Sequence, residues 1–293
     1  MFEYLNKCLS AASVAAVVLA SCNSENVYYE GGQSCKVYEY TPAPGQFINE
    51  NFTATTPAEA CAYAQGRLEK GQYVSLGGFG GYIVVGFSES IPCGGPDVYD
   101  IEIVGNSFDG SSEPGIVWVM RDTNGNGLPD DGTWYELRGS EYDNPGTKRN
   151  YSVTYVRPSA AGEPVAWTDS EGASGFIRRN DRHQQAYYFP LWVDRDSFTL
   201  TGTRLPDNSY IDPDKSSDNG TYWVTTAYGW GYVDNNGSNN NRFRIADAVD
   251  RNGNPANLAS VDFIKIQTAI NADCGALGEI STEVCRVRNL HVR

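Results

Sequence analysis

The chain has 293 residues, 40% of them hydrophobic, enough for a real core in one large β domain or two small ones. Its 36 acidic and 22 basic residues leave a net charge of −14. That balance excludes the basic stripe nucleic acid needs and adsorption on anionic lipid, and favours solubility and cation binding. The 19 Tyr and 6 Trp favour strands over helices, and 31 Gly with 14 Pro fit many short strands joined by turns.

Residues 9–20 form an apolar run behind a single positive charge, Lys7, which Glu3 offsets. The run is too short to span a bilayer and has the length of a signal-peptide core. It ends in Leu19-Ala20-Ser21-Cys22, a pattern that resembles a bacterial lipobox. Residues 1–21 are therefore expected to be a signal peptide and Cys22 the lipidated first residue of the mature chain. The other reading is an ordinary secretory signal with an accidental cysteine. Residues 22–36 read as a polar tether, and 37–293 as a single ligand-binding domain.

After the tether a strand is predicted over 36–40, then a turn at Pro42-Ala43-Pro44-Gly45. One helix follows: Thr56 suits the N-cap, Pro57 the first helical position, and Glu59 a capping box, with an Ala-rich body running toward Gly66. Strands are then expected over 73–76 and 82–87, flanking a Gly-rich hairpin at 77–81. Further strands are expected over 98–104, 116–120 (apolar on both faces and so central), 134–137, 151–156, 197–202, 222–233 and 261–269. Asn126-Gly127, Asn219-Gly220, Asn236-Gly237 and Asn252-Gly253 mark turns between them. Many short strands without alternating helices predict an all-β fold, a β-sandwich or jelly roll with one short helix near the amino terminus.

Five cysteines follow Cys22, and export to an oxidising compartment makes pairing plausible. Cys274 and Cys285 are the expected bridge, while pairing among Cys35, Cys61 and Cys93 stays open. With no CxxC and only two histidines, a zinc or iron–sulfur site is not expected.

The sharpest local motif is the stretch 122–131. Asp122, Asn124 and Asn126 place side-chain oxygens at alternate positions, Leu128 offers a carbonyl, and Asp130 and Asp131 add charge. This is the donor pattern of a structural calcium loop, although Thr133 stands where an EF-hand carries its bidentate glutamate. A bare Asn/Gly-rich hairpin is the alternative. In 222–232, Tyr228, Trp230 and Tyr232 would share one strand face, backed by Gly229 and Gly231. They would form either a flat platform for a sugar or a large planar ligand, or a row in the core. Asp234, Asn235 and Asn236, with 238–241, would supply a polar recognition loop beside it.

Catalytic patterns are thin. There is no GxSxG and no HExxH; His183 lies in a polar stretch; Asp100 and Glu102 share a strand face that reads as solvent-exposed. The run 77–81 lacks the Lys-Ser/Thr of a phosphate loop. No enzyme is expected.

Gly77-Gly78-Phe79-Gly80-Gly81-Tyr82, Gly95-Pro96-Asp97-Val98-Tyr99-Asp100, Pro114-Gly115-Ile116-Val117-Trp118, the Asp122 loop and Trp134-Tyr135-Glu136-Leu137 together resemble a family of Bacteroidota cell-surface lipoproteins. Some relatives are surface vitamin B12 binders of the BtuH type. The resemblance implies an outer-membrane, lipid-anchored protein that captures cobalamin or a related corrinoid and delivers it to an outer-membrane transporter. The same block is similar, more distantly, to galactose-binding-like jelly rolls, which bind carbohydrate and hold structural calcium. That similarity implies the alternative: a calcium-stabilised carbohydrate-binding or adhesion module.

Overall fold

The computed structural model describes residues 35–216, 221–237 and 241–292. The expected signal peptide, Cys22, most of the expected tether, the expected turn at Asn219-Gly220 and residues 238–240 lie outside the described residues. The fold is all-β, built from antiparallel sheets with one α-helix. No described helix is long and apolar enough to cross a membrane.

The largest sheet has six strands. Its centre is Ser260–Thr268, which pairs on one side with Tyr82–Pro92 and on the other with Gly115–Met120. Gly115–Met120 is buried on both faces except at Trp118, as its unbroken apolar run predicts. Lys36–Thr41, Tyr135–Leu137 and Ala248–Val249 extend the sheet to its edges. One face packs a core containing Ile83, Val85, Val117, Val119, Ile264 and Ile266. The other face carries Lys265 among the rings of Tyr82, Trp118 and Trp134.

The helix Pro57–Leu68 lies against Lys36–Thr41 and buries Ala60, Ala64 and Leu68, a spacing that puts all three on one face. Thr56 Oγ1 accepts from Glu59 N–H at 3.2 Å as expected of the cap. The return bond differs: Glu59 accepts from Thr55, not from Thr56. The helix also runs through Gly66 to Leu68, because the buried face continues past the glycine.

A second sheet of four strands takes the order Ser197–Arg204, Lys148–Val156, Val165–Asp169, Ser174–Ile177. Tyr151, Val153, Tyr155, Val165, Ile177 and Leu200 bury together with Ala43, Phe79, Tyr188 and Phe189.

The glycine-rich run 77–81 is not the expected hairpin. Val74–Ser75 pairs with Glu283–Val284, whereas Tyr82–Pro92 joins the large sheet. The run instead crosses between the sheets. Phe79 enters the second core and its carbonyl accepts from Tyr155 Oη at 2.9 Å, while Gly80 and Gly81 bond the backbone of Thr268. A Cβ on Gly81 would stand 1.8 Å from Leu76 O and 2.4 Å from Ala43 N, both backbone atoms. Gly81→Ala is therefore expected to abolish cooperative folding or cost several kcal/mol. Gly66→Ala, in open space on the helix, is expected to stabilise by about 0.5–1 kcal/mol. Urea melts of the two variants check the contrast, and equal midpoints would overturn it.

Candidate functional site

A cavity of about 250 Å³ opens where the outer strands of the second sheet meet the carboxy-terminal segment. Its apolar wall is Trp167, whereas Phe176, paired with Ala166, points to the other face of the sheet and is 52% exposed. Trp167 is directly opposite Gly175 on the neighbouring strand. A Cβ on Gly175 would lie 2.6 Å from the indole, so the glycine is what lets the ring lie against the sheet. The polar wall is Arg178, Asn271, Asp273 and Glu279. Asn271 Nδ2 donates to Tyr151 Oη at 3.0 Å, and that hydroxyl donates to Asp169 at 2.6 Å, which fixes the amide.

Glu279 is the buried member, 5% exposed. Its Oε1 accepts from Gln46 N–H at 2.7 Å, and its buried Oε2 has no hydrogen-bond partner. Burial, reinforced by the nearby Glu113 and Asp273 carboxylates, pushes its pKa up to about 8. The loop is braced from outside: Gln46 Nε2 donates to Leu277 O at 2.7 Å, and Asn180 Nδ2 donates to Gln46 Oε1 at 2.8 Å.

Beside this cavity lies an acidic junction. Glu113, Asp234 and Glu283 bring one carboxylate oxygen each within 4.8 Å of one another, a grouping that could hold a metal ion. Asp234 adopts φ 55°, a left-handed conformation aspartate tolerates, and is fully buried. Its two oxygens accept from Asn106 N–H and Glu283 N–H, both at 2.9 Å. Glu113 accepts from Ser281 N–H at 3.0 Å, and Glu283 from Ser281 Oγ at 2.9 Å. Burial and mutual repulsion push Asp234 up to about 8 and Glu283 well above the carboxylate range; burial raises Glu113. Three enclosed carboxylates cannot all keep their charge unless protons or a cation offset it.

The expected aromatic platform does not form. The strand ends at Trp223–Thr225, and Gly231, at φ 86° with Gly139 against it, turns the chain. Tyr232 plunges inward, 2% exposed, and its hydroxyl accepts from Glu141 N–H at 2.9 Å. Tyr228 is half-buried, packs edge-on to Tyr232 and donates its hydroxyl to Pro206 O. Burial raises both hydroxyl pKa values. Trp230 alone faces solvent, with the Arg244 guanidinium 5.7 Å from its ring. The start of the expected recognition loop is likewise internal: Asp234 and Asn235 are buried, and Asn235 clamps Tyr228 through both its N–H and C=O, while residues 238–240 lie outside the described residues.

In the 122–131 loop the proposed donors face their own chain. Asp122 accepts from Gly125 and Gly127 N–H at 2.7 and 2.8 Å. Asn124 and Asn126 oxygens accept from the backbone two residues on, and their amides donate to Asp130. These bonds hold Asp130 below the usual carboxylate range. Asp131 accepts from Thr123, and Leu128 is exposed, its carbonyl accepting from Asp130 N–H at 2.9 Å.

Cys274 and Cys285 are not bridged, nor are Cys35, Cys61 and Cys93. Nearness in sequence misled: Cys274 packs with Ile270 and Ile280, whereas Cys285 N–H donates to Val104 O on the strand Ile101–Val104. Asp100 is also not solvent-facing. It is buried and accepts from Gly94 N–H, Ile245 N–H and His291. Glu102 instead meets Arg242, Arg286 and Arg288, so the two form no carboxylate pair. His183 is held by Glu50 at 2.5 Å and by the edge of Phe47.

The residues that line the cavity and the junction lie outside the predicted site, except Asp234, which belonged to the expected recognition loop. Alternation around Trp167 marks a strand but no ligand. Glu113, Asp234, Glu279 and Glu283 converge only through tertiary structure. A scan against protein-family models finds no match, and a search of curated proteins finds no relative.

The raised carboxyls imply a pH dependence of known sign. A group with a raised folded pKa keeps a proton that the unfolded chain releases above about 4. The stability it contributes is full below that pH and is lost as pH rises toward about 8, where Asp234 titrates. In EDTA, the melting temperature is expected to fall between pH 5 and pH 8.5, and Glu283→Gln is expected to flatten the fall. A divalent cation held at the junction would reverse the trend, since it requires ionised carboxylates. An identical slope in wild type and Glu283→Gln would remove the junction as its source.

Proposed function

We propose that this chain is a lipid-anchored cell-surface protein that binds a small-molecule nutrient, and that the ligand's ring rests on Trp167. The observation that carries the reading is the cavity itself: an indole wall shares it with Arg178, Asn271, Asp273 and Glu279. An apolar face opposite a few fixed polar groups is the usual make-up of a small-molecule site. A pyranose ring matches it, with one face for the indole and hydroxyls for Asn271 and Asp273. The carbohydrate-binding module is therefore the reading best supported.

The corrinoid reading rests on the sequence resemblance. At about 250 Å³ the cavity lies below the usual range for enclosed ligands, roughly 300–1,000 Å³. A corrinoid would lie across the mouth of the cavity, its side-chain amides reaching inward, before passing to an outer-membrane transporter. Anchoring at Cys22 would hold either version at the outer membrane; Cys22→Ser is expected to move the chain from the membrane fraction to the soluble one.

Calorimetry of the purified chain with a glycan panel, cyanocobalamin and cobinamide separates the ligands. A binding sugar is expected to lose at least tenfold in affinity with Trp167→Ala, about 1.4 kcal/mol or more. Tight cobalamin binding without sugar binding would move the reading to the corrinoid. No heat from any of them would sink both.

On the same reading the 122–131 loop takes a structural calcium ion. In support, Asp122, Asn124, Asn126, Leu128, Asp130 and Asp131 supply only oxygens, and Gly125 and Gly127 give the loop its curl. EGTA is expected to lower the melting temperature at constant pH, and Asp122→Ala to remove that sensitivity. A melting curve indifferent to EGTA would rule the ion out.

A further inference from the structure

Trp230, the member of the 228–232 row that faces solvent, is 43% exposed and stands at a cleft that shares no lining residue with the Trp167 cavity. Tyr99, Arg138, Arg242, Arg244 and Asp247 line the cleft with it. Arg242 and Arg244 reach it together because the backbone between them is extended. Alternate residues of an extended chain send their side chains to one face, with Cα atoms roughly 7 Å apart. The Arg244 guanidinium sits between two rings, 5.4 Å from Tyr99 and 5.7 Å from Trp230. It is fixed there, with Nε donating to Asp247 at 2.9 Å and Nη1 to Pro96 O at 3.2 Å.

Asp247 offsets Arg244, and Asp143, 2.8 Å from Arg138, offsets that residue. Arg242 is different. Its one carboxylate is Glu102, opposite it on the paired strand and 3.5 Å away, and Arg288 and Arg286 approach the same carboxylate at 3.2 and 4.0 Å. Shared in this way, Glu102 offsets the Arg242 charge only in part. Arg242 meets it through Nε, which leaves both Nη groups without a hydrogen-bond partner among the described residues. Its side chain is exposed, so those groups are open to a ligand. A guanidinium fork of this kind matches the two oxygens of a carboxylate. At about 40 Å³ the cleft admits a small group and not a sugar ring. A ring attached to that group has to lie outside, where the Trp230 indole offers it a flat face.

We propose that this cleft is a second binding site, specific for a uronic acid residue of a glycan, whose carboxylate pairs with Arg242 beside Arg244 and whose ring stacks on Trp230. The carboxylate accepts from the two Nη groups of Arg242, and the pyranose ring covers the exposed indole. Arg244, rigid between Tyr99 and Trp230, holds the two contacts at a fixed spacing. A net charge of −14 makes the chain as a whole repel a polyanion. Beyond about 8 Å that repulsion is screened at physiological ionic strength, so the direct contacts decide whether the sugar stays. The inference does not depend on what the Trp167 cavity takes, because the two sites have no residue in common.

The test is titration of the purified chain with short fragments of polygalacturonate, alginate and hyaluronate, read by calorimetry and tryptophan fluorescence. At least one fragment is expected to bind and to shift the tryptophan emission. The share of binding that Trp230→Ala removes belongs to this cleft. Arg242→Gln is expected to weaken that share by about tenfold or more, the worth of a charged hydrogen-bonded pair. The same fragment with its carboxylates reduced to alcohols is expected to lose it likewise. Arg242→Gln should melt at the wild-type temperature, since Glu102 keeps Arg286 and Arg288. Trp167→Ala is expected to leave uronate binding unchanged. Failure of all three fragments to bind overturns the proposal without touching the Trp167 reading. Uronate binding that survives Trp230→Ala and Arg242→Gln, or that Trp167→Ala abolishes, overturns the placement. Dextran sulfate bound in place of every uronate would mark plain charge attraction and overturn it as well.

Discussion

Three carboxyls, Glu113, Asp234 and Glu283, meet at the junction with Glu279 close by, and among the described residues no ion pair to a basic side chain balances them. Glu279 and Glu283 come from the carboxy-terminal segment, Asp234 from the loop after Tyr232, and Glu113 from the approach to the central strand Gly115–Met120. Three of them accept from backbone N–H groups of a distant segment and so act as connectors: Gln46 to Glu279, Asn106 and Glu283 to Asp234, Ser281 to Glu113. Such bonds are strong because the surroundings are dry, and the same dryness makes an unbalanced charge expensive. The fold therefore ties its connection between sheets to the ionisation state of a handful of acids.

Strands were legible in the sequence wherever packing alternates or runs apolar. Ile101–Val104, Gly115–Met120, Lys148–Val156 and Ser260–Thr268 all fall on predicted segments, because burial on one or both faces writes a period into the residues. The helix was legible from its cap. What failed has one physical root, the reading of backbone direction from spacing alone. The aromatic row at 228–232 has the period of a strand, but Gly231 reverses the chain and sends Tyr232 and Trp230 to different environments. The glycines at 77–81 look like a hairpin, yet they are small because two backbones pass within contact there.

The candidate site was hidden for a related reason. Trp167 and Gly175 face each other across a hairpin, while Asn271, Asp273 and Glu279 arrive about a hundred residues later. No local window contains both walls. The local signal in 273–285 is its two cysteines, which do not bridge, and the acids between them form no pattern of their own. A buried acid betrays itself in sequence only weakly. Glu283 lies in Ile280-Ser281-Thr282-Glu283-Val284, where apolar and hydroxyl neighbours around a lone acid are the one available hint.

Cavity and junction are electrically one system. Glu113 belongs to the junction and is among the charges that raise Glu279 in the cavity. Any change that removes negative charge from the junction, whether protonation or a bound cation, lowers the cost of ionising Glu279. Linkage runs both ways: whatever favours the charged form of Glu279 also pushes protons onto Glu113 and its neighbours. The seam between the sheets thus couples the fit of a ligand to the protonation of the groups that hold the seam closed. Because that coupling travels through burial and charge over short distances, it requires no movement of the strands.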